Sequence, residues 1–579
     1  MKIGIVVCIV CTITTMLVLG CPLLSSYDYT ITYDANGAHG GSVPADDIVK
    51  SGIFILPDNS GDLVKTNFKF IGWNTKPDQT GTFYGPYDNF TAYSPTVTLY
   101  AHWIPKTYFK MANSWGIGSA DDPWEHEYDG FVWITEDALL ASTAYITFQA
   151  DRIHYDPKYV TTFELDFSSM GDLFIEIGLF DPITNRYVKK KAFTPFAFAD
   201  KTRPAENEPF PNNKIVMDIT EWSETLSQDV LLTLRVKNES DDAIGSIASF
   251  SLEYHDHYGG PPTQILRTDQ INAPITYGLN EVSISLSELT TSSDSINRST
   301  SRSQLPHATS RSLTSDELVH VREVYSSDYD EKSTTVFGHG TGLKIPPEIL
   351  SDSTEHAART IDRIPRSITS GLPERIDLSA DPAFPPIGDQ GKAGACVAFS
   401  TGYYAKTYIE AKENNWNFDS VAWDDTMMAP DSQLDHIISP AFIYNLSNGG
   451  MDERMIYHEA LELLSEIGSA SWNTMPYVGT EDVYISTWPG SDAWREAPLY
   501  RSAIETKVTD YVHIVLKDDD IEFIKSLIAQ HIPVTVSVDA TKYSMLSEHD
   551  LWDVSNYSNV VHNHANTIVG YVPYSEFPE

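Results

Sequence analysis

The sequence predicts an α+β chain of several domains, and three observations lead there. Its 579 residues exceed what a single core supports. Residues 27–103 and 147–289 carry short runs of alternating apolar and polar side chains, broken by Gly, Asn, Asp and Pro, which is the pattern of strands and turns. From residue 373 to 579 amphipathic helical stretches alternate with strands instead.

The N-terminus opens as an export signal: Lys2 is the only charge before an apolar run over 3–20. The run ends in "VLGC", residues 18–21, which resembles the lipobox of bacterial lipoproteins, with Leu19 bulkier than the usual residue. The resemblance implies a signal peptide over 1–20, lipid on Cys21, a short linker over 21–26 and a protein anchored in a bacterial cell envelope. The alternative is an uncleaved transmembrane helix, since the run is just long enough. Cleavage would remove Cys8 and Cys11 and leave Cys396 as a lone thiol, a candidate nucleophile. The competing reading of Cys396 is a small buried hydrophobe.

Residues 27–103 hold "YTITYDANG", "FKFIGWNTKPDQTGT" and "VTLYAHW". The unit resembles the Listeria–Bacteroides (InlB B-type) repeat of bacterial surface proteins. That implies a small β-grasp-like fold acting as spacer or binding module, without catalytic residues. Next come "YFKMANSWGIG", residues 108–118, and "GFVWITEDAL", residues 130–139, both expected as strands within a piece spanning 107–146.

Over 147–289 the runs "VTTFELDF", "LFIEIGLF", "KIVMDI", "VLLTLRV", "IASFSLEYHDHY" and "NEVSISL" predict a β-sandwich. His255 and His257 form an H-x-H pair with no third ligand in view, so a solvated strand face is expected and no metal site is assigned. Residues 290–372 are rich in Ser, Thr, Asp and Arg without sustained periodicity and predict a linker, with no pattern marking an inhibitory segment. Beyond them, "ERMIYHEALELLSEI" places Ile456, Ala460, Leu463 and Ile467 on one helical stripe. "IEFIKSLIAQ" predicts a second helix, and "IPVTVSVD" and "NHANTIVGYV" predict strands.

Chemistry concentrates in "DQGKAGACVAFSTGYYAKTYIEAK", residues 389–412. Cys396 sits where the helical pattern begins, and unpaired N–H groups at a helix start favour a thiolate. Gln390 precedes it in a Gly-rich loop, where an amide can donate to an oxyanion. This stretch resembles the nucleophile segment of papain-like cysteine peptidases (family C1). The resemblance makes Cys396 the nucleophile and Gln390 the oxyanion donor. Ala393 and Val397 depart from that family, which has a disulfide Cys and a Trp there.

"HNHANTIVGYV" supplies His564 as the base, with His562 as runner-up. "SPAFIYN" resembles the family helix that follows the nucleophile. Gly449 and Gly450 resemble its substrate-pairing glycines, where lack of a side chain lets a peptide come close. The Asn-Ser-Trp-Gly that the family places soon after its His is found far upstream instead. On the resemblance, Asn113 orients His564 and Trp115 shields their bond and lines the leaving-group side.

The resemblance thus implies a circularly permuted papain-like domain, with a helical half and a β-barrel half, built from 107–146 and 373–579. A site completed between two molecules is the rival. The predicted activity is an exported cysteine endopeptidase acting through an acyl-enzyme on peptide or protein substrates, without cofactor. The alternative is an inactive surface adhesin or binding protein. Lys plus Arg total 39 against 80 for Asp plus Glu, a net charge of −41 that argues against nucleic acid as a partner.

Overall fold

A computed structural model describes residues 28–577, apart from 50–52, 120–126, 143, 150–151, 196–207, 227–228, 290–308, 313–333, 345–358, 364–370, 449–451, 479–486, 503–513 and 517–519. The export signal and Cys21 lie outside the described residues. Among the described residues no helix is long and apolar enough to cross a membrane. The chain divides into two compact units, one over 1–106 with 573–576, the other over 107–572 with 577–579.

The first unit is built on a five-stranded sheet. Tyr29–Asp34 runs parallel to Thr96–Pro105 at its centre, and Phe68–Asn74 flanks the latter antiparallel. Alternation along Thr96–Pro105 turns Val97, Leu99, Ala101 and Trp103 inward. They meet Ile31, Trp73 and Phe90, and the Trp73 indole N–H donates to the Pro57 carbonyl at 2.8 Å.

The second unit joins a long mixed sheet, a helical layer and a two-sheet β-domain around one apolar core. His564–Pro573 lies between Val534–Val538 and Thr107–Ala112, and Tyr145–Thr147 pairs with the far side of Val534–Val538. Register sets Val538 opposite His564 and Val536 opposite Asn566. Residues 107–147 therefore enter the sheet at two separate places.

The helical layer begins with one continuous helix whose middle is π-helical: Cys396–Ala398, Phe399–Lys406 and Thr407–Asn414. Asn415, left-handed at φ 57°, ends it. Pro440–Ser447 comes next, started by Ser439 and a proline at its first position. In Tyr457–Glu466 the stripe of Ala460 and Leu463, flanked by Ile456 and Ile467, is buried.

The β-domain stacks Ile215–Asp218, Tyr159–Phe167, Gly245–Tyr254 and Gln264–Arg267 in one antiparallel sheet. Arg186–Phe193, Leu173–Asp181, Leu231–Asn238 and Gly278–Ser285 form the other. Its core is continuous with that of the helical layer. A buried ion cluster spans the two: the Arg501 guanidinium pairs with Asp218 and with Glu221 at 3.3 Å, and its Nε donates to the Ser465 carbonyl at 2.9 Å.

Three expectations change. "EDAL" is helical, not extended: Thr135 caps Glu136–Ala141 by accepting from the Ala138 N–H at 3.2 Å, and two acids open the first turn. The pair His255 and His257 does not share a solvated face, because both follow the strand end at Tyr254. His255 is buried against Glu253 at 3.2 Å, whereas His257 is exposed beside Asp156. Residues 290–372 are not only a linker. Thr309–Ser312 and Arg359–Arg363 join the long sheet, and Thr334–Val336 pairs with His339–Thr341 as a hairpin. That hairpin closes through backbone and a 2.7 Å Thr334–Thr341 hydroxyl bond, so glycine-rich sequence gives no apolar period to read.

Candidate active site

Cys396 is the first residue of its helix and is fully buried. His564 opens the strand His564–Pro573 and is fully buried too. Asn113 follows the neighbouring strand Thr107–Ala112. Its Oδ1 accepts from the Ser114 backbone N–H at 2.8 Å and lies 2.9 Å from His564 Nε2. A backbone N–H can only donate, so the amide oxygen faces both groups and Nε2 carries the ring proton. The lone pair of neutral His564 is then on Nδ1, which has no hydrogen-bond partner. His562 points elsewhere: its Nε2 lies 2.8 Å from the Ser142 carbonyl.

Gln390 sits in the loop before Cys396. Its Nε2 donates to the Ala393 carbonyl at 2.6 Å, and its Oε1 accepts from the Ser114 hydroxyl at 2.5 Å. The Gln390 N–H also donates to the Ser114 carbonyl at 2.8 Å, and Gly116 N–H to the Gly388 carbonyl at 3.1 Å. Tyr404 adds a clamp, donating its hydroxyl to the Asn113 carbonyl at 2.6 Å and accepting from Gly388 N–H at 3.0 Å. Trp115 packs 4.8 Å from the His564 ring and 4.8 Å from Tyr543. Asn113, Trp115, Gln390 and His564 thus gather in one place. Gly449 and Gly450 lie outside the described residues.

Sequence reasoning missed Ser114, Tyr404 and the cover over the site. Ser114 lies within the quoted "ANSWG", so only its partner was hidden. The cover is the end of the hairpin. Gly342 N–H points at Cys396 Sγ at 3.3 Å. Gln390 Nε2 donates to the Gly340 carbonyl at 3.0 Å, as does the Trp115 indole N–H at 3.3 Å. Leu343 N–H donates to the Asn563 carbonyl at 3.1 Å, and Met455 N–H to the Gly342 carbonyl at 2.6 Å. The His339 ring stacks on Trp115 at 5.2 Å.

Enclosure governs the charge states. Burial pushes the Cys396 thiol up to about 11, against the N–H groups of Gly342, Ala565 and Val397, which pull the other way. The helix start alone predicts a readily ionised thiol; under the cover, loss of water outweighs it. Burial, helped by His339, pulls His564 down to about 3. Both groups are neutral in this arrangement. Among the described residues no group of three His, Cys, Asp or Glu side chains could hold a metal ion.

Residues 372–576, which include Gln390, Cys396 and His564, match the model of the papain family of cysteine proteases. That segment is similar to the papain family of cysteine proteases. Residues 29–102 match the Listeria–Bacteroides repeat domain. Asn113 and Trp115 lie outside both matched segments.

Two Evansella cellulosilytica proteins are similar over short stretches. One, named as a Gly-rich membrane protein, is 36% identical over 84 residues, 14% of this chain and 10% of its own length. The other, named as a membrane protein, is 30% identical over 76 residues, 13% of this chain and 11% of its own. The chain thus spans about a tenth of the length of the curated relatives it matches. Among solved structures, xylellain, a cysteine protease from Xylella fastidiosa, aligns at 18% identity and TM-score 0.28, over 42% of this chain and 82% of that one. The proform of the ragweed cysteine protease Amb a 11 aligns at 18% identity and TM-score 0.20, over 35% and 52%.

Proposed function

We propose that this chain is an exported cysteine endopeptidase whose papain-family domain is circularly permuted. The observation that carries the proposal is the 2.9 Å contact between His564 and Asn113, residues 451 apart in sequence. In this reading His564 Nδ1 takes the Cys396 proton and the thiolate attacks a peptide carbonyl. The Gln390 amide and the Cys396 backbone N–H receive the charge that develops on the carbonyl oxygen. The imidazolium, steadied by Asn113, returns a proton to the leaving amine, and water hydrolyses the thioester. Trp115 covers the His564–Asn113 bond and lines the leaving-group side, and Gly449 and Gly450 pair with the substrate backbone.

Export rests on the sequence alone: the apolar run over 3–20 and the lipobox-like "VLGC" place the protein in the cell envelope, anchored through lipid at Cys21. A signal-bearing chain with a surface-type repeat is consistent with peptide or protein substrates outside the cytoplasm.

A second reading, an inactive binding protein, draws on the complete enclosure of Cys396. One experiment separates the two. Purified protein, before and after limited proteolysis, is incubated with a mixed peptide library. Cleavage that disappears in Cys396→Ala supports the enzyme. No cleavage under either condition, by folded protein, rejects it.

A further inference from the structure

The first unit turns an apolar face to solvent. Ile53–Ile55 and Asn89–Thr91 pair antiparallel as a separate two-stranded ribbon, with Phe54 opposite Phe90. Both phenylalanines are buried in the core of the unit with Ile31, Trp73 and Leu99. Side chains alternate along a strand, so the other face of the ribbon holds Ile53 opposite Thr91 and Ile55 opposite Asn89. Tyr93 stands at one end of the ribbon, its ring edge 6.2 Å from Phe90, and Tyr87 stands at the other. Ile53, Ile55, Tyr87 and Tyr93 are 67–69% exposed. No charged side chain lies on the ribbon between the tyrosines. The nearest is Asp58, which accepts from the Tyr87 hydroxyl at the end away from Tyr93. An aliphatic pair flanked by tyrosines suits a membrane–water interface, where Ile buries and Tyr keeps its hydroxyl wet.

Position in the chain favours the same occupant. The Thr30 N–H, at the start of Tyr29–Asp34, donates to the Pro95 carbonyl at 2.8 Å. Asp28 therefore lies beside the Tyr93 end of the ribbon. Seven residues separate Cys21 from Asp28, a span of at most about 25 Å. Lipid on Cys21 would hold this end of the ribbon within that distance of the bilayer. Charge permits the approach: residues 27–106 hold five Lys against eight Asp, only −3 of the chain's net −41.

Ile48 supplies the contrast. It is 67% exposed and pairs with Thr30, whose neighbour Ile31 points into the core. Sheet and ribbon enclose that core between them, so Ile48 faces away from Ile53 and Ile55.

We propose that the ribbon face of Ile53 and Ile55 is a membrane-docking surface, which seats the first unit in the headgroup layer of a lipid bilayer. The proposal rests on the export reading for its tether and is independent of the peptidase reading.

The test uses the chain from Pro22 with a polyhistidine tag in place of Cys21. The tag tethers it to vesicles of phosphatidylethanolamine and phosphatidylglycerol that contain a nickel-chelating lipid. Cys396→Ser removes the remaining thiol, so Ile55→Cys or Ile48→Cys takes a single environment-sensitive NBD fluorophore. On vesicles, the probe at position 55 is expected to brighten about 2- to 5-fold and shift to shorter wavelength, as it enters the boundary by about 5–10 Å. The probe at position 48 should not change. Ile53→Asp with Tyr93→Asp should abolish the response at position 55.

No response at position 55, an equal response at 55 and 48, or a response that survives both aspartates would overturn the docking surface. Lipidation is read separately, from the mass of the N-terminal peptide of the exported full chain. An unmodified Cys21 with a responding position 55 would reject the anchor and uphold the docking surface. Lipid on Cys21 with a silent position 55 would do the reverse.

Discussion

Removing the Asn113 side chain isolates what the upstream segment contributes to the chemistry. Asn113 is buried, and its Oδ1 holds His564 Nε2 at 2.9 Å. The ring becomes an imidazolium during the proposed reaction, so the bond is charge-assisted when it counts and contributes about 1.5–3 kcal/mol. At 1.36 kcal/mol per decade, Asn113→Ala should lower kcat about 10- to 150-fold. Cys396→Ala should abolish turnover outright, since Asn113 orients the base and breaks no bond itself.

The alanine also strands the buried Ser114 N–H, which now donates to Oδ1 at 2.8 Å, so some stability is lost with it. Thermal melts set the temperature of the assay below unfolding. Asn113→Asp keeps an acceptor for both donors and should retain more activity than the alanine. Initial rates on a fluorogenic peptide give kcat and KM separately. A folded Asn113→Ala protein whose kcat stays within about twofold of the parent would refute the assignment of Asn113 to the base.

Ser114→Ala should lower kcat about 2- to 10-fold, because the Gln390 amide loses the 2.5 Å hydroxyl donor that fixes its rotation; unchanged kcat would exclude a positioning role. Arg501→Met should destabilise the second unit by about 3–5 kcal/mol in urea melts, as the buried Asp218 carboxylate loses its countercharge. A loss below about 1 kcal/mol would show that Asp218 finds another partner. With the thiol near 11, about one Cys396 in a thousand is thiolate at pH 8, so alkylation of the intact chain should keep accelerating up to about pH 11. Gly342→Ala, which readmits water, should level off at lower pH; a shared profile would mean that the cover at Gly342 does not set the thiol.

The residues of the site were legible in the sequence because each sits in a short motif whose spacing is local. "DQGKAGAC" needs only a loop and a helix start to present Gln390 and Cys396. Asn113 was legible through "ANSWG", although its distance from His564 in sequence gives no hint of contact without the resemblance. What stayed hidden is what depends on backbone meeting backbone. Gly340 and Gly342 lie too close to the nucleophile loop for any side chain, and a glycine carries no apolar signal. Tyr404 has the sequence signature of an ordinary core aromatic on the helix, and only its hydroxyl contacts with Asn113 and Gly388 mark it as a clamp. The state of the thiol escapes the sequence for a related reason. A helix start can be read from sequence, but enclosure by a segment some fifty residues upstream cannot.

The interleaving also ties catalytic competence to the integrity of one sheet. His564 begins a strand bordered on one side by Val534–Val538 and on the other by Thr107–Ala112. Its ring is oriented only when the second of these is in place, because Asn113 directly follows that strand. Gln390 depends on the same strand, since it is gripped by Ser114 through both its side chain and its backbone. Loss of Thr107–Ala112 from the sheet would therefore release His564 and Gln390 together, while leaving Cys396 at its helix start. The geometry of this site is accordingly a property of the assembled sheet.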